Sequence, residues 1–297
     1  MTTLSALVKR NSKLFFKDKG MFITSLITPL ILLVLYATFL AKVYKDAFLS
    51  LMPTGFTVNE DIIDSTVACQ LLSSLLAVCC VTVAFCSNLL MVQDKVTGAN
   101  RDFLISPVKQ RTLALGYFIS STLVTLIICF TALVIGFIYI AVLGWYLSVA
   151  DVLFLILDVI LLVLFGTALS SFINCRLKTN GQASAVGTII SSGYGFICGA
   201  YMPISNFSIT LQRVISFLPG TYATSLLRNH SLRGVFAEMN AQGVPQEAMD
   251  NLKSAVDCNV KFFDYDVPIP VMYVVLVFAI LLSMIGFVTL AKFKKVK

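Results

Sequence analysis

One histidine, one aspartate stranded in an apolar run and eight cysteines are the side chains of this 297-residue chain with the most reactive chemistry. Catalysis or metal binding needs such residues in sets. The single His230 excludes a multi-histidine metal site and leaves Ser-His hydrolysis without support; in a polar stretch it reads as solvated outer surface. Cys69, Cys79, Cys80, Cys86, Cys129, Cys175 and Cys198 lie in or at the ends of apolar segments without metal-site spacing, so they read as small buried hydrophobes. Cys258, in a polar segment, reads as a free thiol. Asp158 lies seven residues beyond Asp151, about 10 Å down a helix. An acid at that depth is costly, and serves either a proton-coupled step or a protonated, hydrogen-bonded packing role. No base within the apolar runs stands out as its mate. Gly193, Gly195 and Gly199 spell GxGxxxG, but inside an apolar helix with no strand before them they make no nucleotide site, and GxxxxGK[ST] is absent. The chain is therefore expected to bind no cofactor or metal itself.

The elements that hold these residues are membrane helices. Hydrophobic residues make up 58% of the chain and charged ones 12%, about half the charge of an average soluble domain. The long runs are apolar all the way round, which excludes amphipathic soluble helices. A bilayer core of ~30 Å takes about 20 residues of helix. Six stretches suffice: about 21–41, 67–92, 113–143, 150–174, 182–202 and 269–291, with Trp145 and Tyr146 as an interfacial anchor after the third. The formal net charge of +7 does not point to nucleic acid, because the basic residues flank apolar runs instead of forming one polar face. The N-terminal segment, the loop between spans two and three, the loop between spans four and five, and the tail together carry fifteen of the 22 basic residues and only Asp18, Asp94 and Asp102 as acids. Both termini are thus expected in the cytoplasm, in the plasma membrane, with no cleaved signal peptide.

Two amphipathic segments accompany the spans. Leu4, Leu7, Val8, Leu14 and Phe15 share a helical face within residues 1–19, with most of the basic residues off it, as in a helix lying in the inner interface. Val96, Ala99, Phe103 and Leu104 follow i, i+3, i+7, i+8, with Asp94, Lys95, Arg101 and Asp102 between them, and Pro107 stops the pattern. That apolar face packs on the protein's own helix ends, rests on headgroups, or docks a cytoplasmic partner.

"DKVTGANRDFLISPVKQRTLALGYFISS" and "GAYMPISNFSITLQRVISFLPGTYATSLLRN" resemble two characteristic stretches of ABC-2 type exporter permeases, in the same order on a similar six-span topology. The resemblance covers nearly the whole chain. It implies an all-α transmembrane domain over residues 1–297 that pairs with a second permease protomer, identical or not, and rests on two separate ABC ATP-binding subunits, which carry the ATP and magnesium. Val96, Ala99, Arg101, Asp102, Phe103 and Leu104 would then form the coupling helix, with residues 93–112 as the coupling loop. Cargo would leave the cytoplasm by alternating access.

In the fifth span, Ala183, Gly187, Ser191, Gly195 and Gly199 recur every four residues, a small-residue stripe that lets another helix approach closely. The resemblance adds that this helix, with spans one and two, surrounds the substrate path near the dimer axis, making Ser192 and Tyr194 candidate lining residues. Beyond Pro203, Pro219-Gly220 breaks an apolar stretch into two pieces of about a dozen residues, each too short to cross, so an outer-leaflet re-entrant hairpin is expected. The resemblance assigns Pro203, Pro219, Gly220 and Tyr222 to an extracellular gate; a simple interfacial hairpin is the alternative. Residues 229–267 read as a polar, acidic external loop, helix-like on both sides of Gly243-Val244-Pro245. An ion-gradient-driven secondary transporter remains the competing function; it would call for paired intramembrane ionisable residues and internal repeats, and Asp158 alone gives it little.

Overall fold

The computed structural model describes residues 3–51, 59–99, 103, 108–263 and 265–292. The chain is almost entirely helical. Helix α1 (Thr3–Lys17) leads through Asp18, which caps α2 (Lys19–Leu35) by accepting from the Met21 N–H at 3.1 Å. A π-helical turn, Tyr36–Leu40, joins α2 to α3 (Ala41–Ser50). Then come α4 (Glu60–Val96), α5 (Gln110–Leu143), α6 (Val149–Asn174), α7 (Asn180–Ile197), the short α8 (Ile209–Ile215), α9 (Pro219–Ala241), α10 (Gln246–Ala255), a two-residue hairpin of β1 (Lys261–Phe262) and β2 (Tyr265–Asp266), and α11 (Ile269–Lys292).

Helix α4 is the axis of the bundle. Of its most apolar 18-residue window 94% is buried, against 17–50% for the other long helices, and α2, α5, α6, α7 and α9 all pack on it. Those other helices turn apolar faces outward, Val142, Val149 and Val274 among them, as lipid contact requires. Gly166 brings α6 against the backbone of α4: a Cβ there would lie 2.8 Å from the Cys80 carbonyl. Helix α6 starts with a capping box in which the Ser148 side chain accepts from the Asp151 N–H and Asp151 accepts from the Ser148 N–H.

Five helical stretches among the described residues are long and apolar enough to cross a membrane: Lys19–Ser50, Glu60–Val96, Gln110–Leu143, Val149–Asn174 and Ile269–Leu290. They contain five of the six expected spans. The remaining one, expected over 182–202, is the 18-residue α7, whose Asn180, Gln182, Ser184 and Thr188 keep it below that measure. It ends early because Gly199, at φ 77°, closes a Schellman turn in which the Ala200 N–H donates to the Gly195 carbonyl at 2.8 Å. Gly199 is therefore a helix stop and not part of the packing stripe.

Residues 203–267 depart further from the expected pattern. Pro219 does not separate two equal pieces; it sits at the first position of α9, where a missing N–H costs nothing. The piece before it is a seven-residue helix. The piece after it runs for 23 residues, and Gly220 to Arg228 are all buried against α4 and α6. Residues 229–241 are thus helix and not loop. The expected helices on both sides of Gly243-Val244-Pro245 are present as the end of α9 and as α10.

Candidate functional site

Helices α2, α4 and α7 enclose a groove of about 920 Å³. Thr24 and Thr28, one turn apart, face it from α2; Cys86, Leu89 and Gln93 from α4; Asn180, Ser184, Gly187, Thr188, Ser191 and Ser192 from α7. Ile27, Ile31, Leu35 and Phe196 supply the apolar part, and among the described residues no Asp, Glu, Lys, Arg or His lines it. Ser192 spends its hydroxyl on the Thr188 carbonyl at 2.6 Å, so its outward surface is mainly hydrocarbon. A surface of this kind accommodates an uncharged or amphiphilic molecule with a few hydrogen-bonding groups.

Gly187 and Ser191 thus lie in the groove, and a Cβ added at Gly187 would meet nothing within 4 Å. Gly195 is different: a side chain there would strike the ring of Tyr201. Tyr194 is buried away from the groove, under α9, where a Cβ on Gly220 would lie 2.7 Å from its hydroxyl. Tyr222 donates its hydroxyl to the Ser216 carbonyl at 2.5 Å, tying the start of α9 to the end of α8, and Pro203 precedes the turn Ile204–Asn206. Tyr194 and Gly220 therefore meet as packing where α7 passes α9, whereas Tyr222 packs toward the end of α8 and the start of α11. The hydroxyl and amide residues of the groove that pattern reading passed over, Thr24, Thr28, Gln93, Asn180, Ser184 and Thr188, did carry a signal: they recur at helical spacing on otherwise apolar faces.

A buried ion pair ties α9 to the residues just beyond α10. Arg228 of α9 is fully buried, donates to Asp257 Oδ2 at 2.9 Å and to the Gly199 carbonyl at 2.5 Å, and lies 3.3 Å from the side-chain oxygen of Gln70 on α4 when that amide is turned to accept from it. Asp257 also accepts from the N–H groups of Ile204 and Ser205. Burial raises the Asp257 carboxyl above its ordinary value, while Arg228 and the two N–H groups pull it down. Next to it, burial pushes the Cys258 thiol up to about 12, so that thiol is free but unreactive.

Asp158 has the mate that sequence reading did not find. His230 Nδ1 lies 2.6 Å from its Oδ2, and Tyr273 of α11 donates to its Oδ1 at 2.6 Å. His230 is not solvated surface; it is buried and stacks on Phe154 with ring centroids 4.8 Å apart. The correction follows from α9, whose unbroken course carries His230 into the bundle. Among the described residues no three His, Cys, Asp or Glu side chains form a metal-binding group.

At the other end, Arg10 of α1 forks onto Asp94 of α4 at 2.7 and 3.0 Å, and Tyr117 of α5 donates to the same carboxylate at 2.5 Å. The hydrogen bond to Asp94 raises the already high Arg10. The Arg10 guanidinium also lies over the ring of Phe103, 5.0 Å from its centroid. Lys95 donates to the carbonyls of Asn174, Cys175 and Leu177 and so closes the end of α6. Of the expected coupling residues, Val96 ends α4 exposed, Ala99 and Phe103 are half-buried, and Arg101, Asp102 and Leu104 lie outside the described residues. Amphipathic α1 packs on α5 with Leu7 over Gly116, where a Cβ would come within 3.1 Å of it.

No curated protein matches the chain. A family model described as ABC-2 type transporter matches residues 2–230, about three quarters of its length.

Proposed function

Since the chain belongs to the ABC-2 type transporter family and is thereby a multi-pass membrane permease subunit of an ABC transporter, we propose that it exports an uncharged or amphiphilic molecule by alternating access, on power drawn from two separate ATP-binding subunits. The observation that carries this reading is the groove between α2, α4 and α7, whose lining among the described residues is apolar, hydroxyl and amide, without a charged side chain. In the proposed assembly the groove faces a second permease protomer, identical or not. Helix α7 serves as the fifth of six spans, α8 and the first turns of α9 form the outer gate around Pro203, Pro219, Gly220 and Tyr222, and both termini lie in the cytoplasm at the plasma membrane. Residues 93–112 seat Val96, Ala99, Arg101, Asp102, Phe103 and Leu104 on the ATPase, which binds the ATP and magnesium. The contact of Arg10 with Asp94 and Phe103 supports α1 as a brace for that seat.

The pair of Asp158 and His230 favours one competing reading, a secondary transporter driven by a proton gradient, since paired ionisable groups between spanning helices are what that mechanism uses. The two separate by energy source. The purified chain is expected to hydrolyse no ATP, and Phe103→Asp to prevent co-purification with an ATP-binding subunit co-expressed with it. ATP-independent uptake or efflux in vesicles, driven by an imposed pH gradient, would replace the first reading with the second.

A further inference from the structure

Helix α8 and the β1–β2 hairpin lie 45 residues apart in sequence yet build one aromatic surface. Phe217, just beyond α8, meets Phe262 and Phe263 edge-on, with ring centroids 5.2 and 6.0 Å away, and the latter two are 5.1 Å from each other. The surface is uncovered: Ile209 is 69% exposed, Phe217 62% and Tyr265 80%. Exposed apolar side chains gathered in one patch mark an interaction site.

Its surroundings indicate what covers it. Beneath the rings is a slot of about 410 Å³ whose far wall is Val271 and Val275, in the first turns of the spanning helix α11, with Tyr222 also lining it. Val271 and Val274 on those turns face outward, where the neighbour of a spanning helix is lipid. The aromatic surface thus continues the lipid-facing flank of α11 at that helix's end, which is headgroup depth, where amphipathic aromatics and cations concentrate. The charges fit the same place. Arg213 lies over the Phe263 ring at 5.4 Å, and Lys261 pairs in register with Asp266, whose side chain borders the slot. Among the described residues, cations and a carboxylate thus stand side by side, as a zwitterionic headgroup requires. A second copy of the chain is the less suitable occupant: the open groove proposed for it lies on α2 and α7, which pack on α4, whereas α11 packs on α5, α6 and α9.

We propose that α8 and the β-hairpin form a lipid-binding foot seated in the outer leaflet, with the slot between Phe217, Phe262 and Val275 holding the upper part of one phospholipid acyl chain. The outer-leaflet assignment rests on the orientation proposed above; the lipid contact does not. The test places an indole in the surface by Phe262→Trp, with Tyr265→Trp as a second reporter, both in a Trp145→Phe background so that no other tryptophan emits. The full chain is reconstituted into phosphatidylcholine vesicles, with and without lipids brominated high on the acyl chain. Loss of most of the emission to the brominated lipid, with protection from aqueous iodide, is the expected result. Quenching by iodide and not by bromine, or protection from both as in a protein–protein contact, overturns the proposal. Gln242→Cys, exposed in the turn after α9 and the only accessible thiol in a chain whose own cysteines are buried, reads the side separately with an impermeant maleimide on intact cells. Lipid quenching without external labelling overturns the outer-leaflet assignment together with the orientation.

Discussion

Arg228→Met is expected to be the most damaging single change in the outer half, and its damage should depend on pH in a definite direction. The substitution keeps a long apolar side chain but removes the guanidinium donors to Asp257, to the Gly199 carbonyl and to Gln70, leaving Asp257 only the N–H groups of Ile204 and Ser205. Breaking a buried ion pair from one side costs about 3–5 kcal/mol, because the remaining charge stays buried without its partner. At about 2–4 °C per kcal/mol for a chain somewhat smaller than this one, the melting temperature in detergent should fall by roughly 10 °C. Burial already holds the Asp257 carboxyl above its ordinary value, with Arg228 the largest influence pulling it back. Removing the arginine lifts it further. A carboxyl whose folded pKa exceeds its unfolded value of ~3.9 adds stability only while protonated; the gain is complete below that unfolded value and is lost as pH rises through the folded one. The deficit of Arg228→Met should therefore be largest near neutral pH and shrink on acidification. Adding Asp257→Asn should recover part of it at neutral pH. Thermal unfolding of the purified proteins across a pH series measures all three. A single variant within about 1 kcal/mol of the natural chain, or a deficit that is flat with pH, would refute the reasoning.

Gly187→Leu should leave the protomer at least as stable, since a Cβ there meets nothing and glycine in a helix costs about 0.8–1 kcal/mol relative to better formers; it should nevertheless block transport by filling the groove or holding off the second protomer, which transport assays and cross-linking separate. Asp158→Asn keeps a partner for Tyr273 but replaces the carboxylate that faces His230 Nδ1 with an amide. It should lower stability by about 1–3 kcal/mol while ATP-driven transport persists; abolished transport in a folded variant would favour proton coupling.

What the sequence made legible is what lipid enforces. A helix in hydrocarbon must be apolar over its whole crossing, so α2, α4, α5, α6 and α11 announce themselves by composition alone. Helix α7 announced itself less clearly, because the hydroxyl and amide residues that line a groove dilute its hydropathy. The most informative failure is α9. Its Arg228, Asn229, His230 and Arg233 gave it the composition of an outer loop, and Pro219 had the look of a breaker. Both cues are local. A charged residue counts against burial only when it is unpaired, and the partners that bury Arg228 and His230, Asp257 and Asp158, lie 29 and 72 residues away. No window along the chain contains both members of the second pair. Proline, in turn, breaks a helix interior but suits a first position, and hydropathy does not tell the two apart.

Two polar residues of α4 share a physical consequence. Gln70 in the first third of α4 and Asp94 near its C-terminal end are 24 residues apart, about 36 Å along one unbroken helix. The first contacts Arg228, which holds the turn before α8 through Asp257; the second holds α1 through Arg10, beside Phe103. Between them α4 is almost wholly buried in apolar contact, which resists bending. A displacement of the 93–112 loop that shifts Asp94 must therefore shift Gln70 as well, or break either the Arg10–Asp94 ion pair or the contact of Gln70 with Arg228. Hence Arg228→Met and Arg10→Met should both uncouple ATP hydrolysis from transport although they stand at opposite ends of the molecule. If either variant keeps normal coupling in a folded complex, α4 does not act as the rigid link between the two ends.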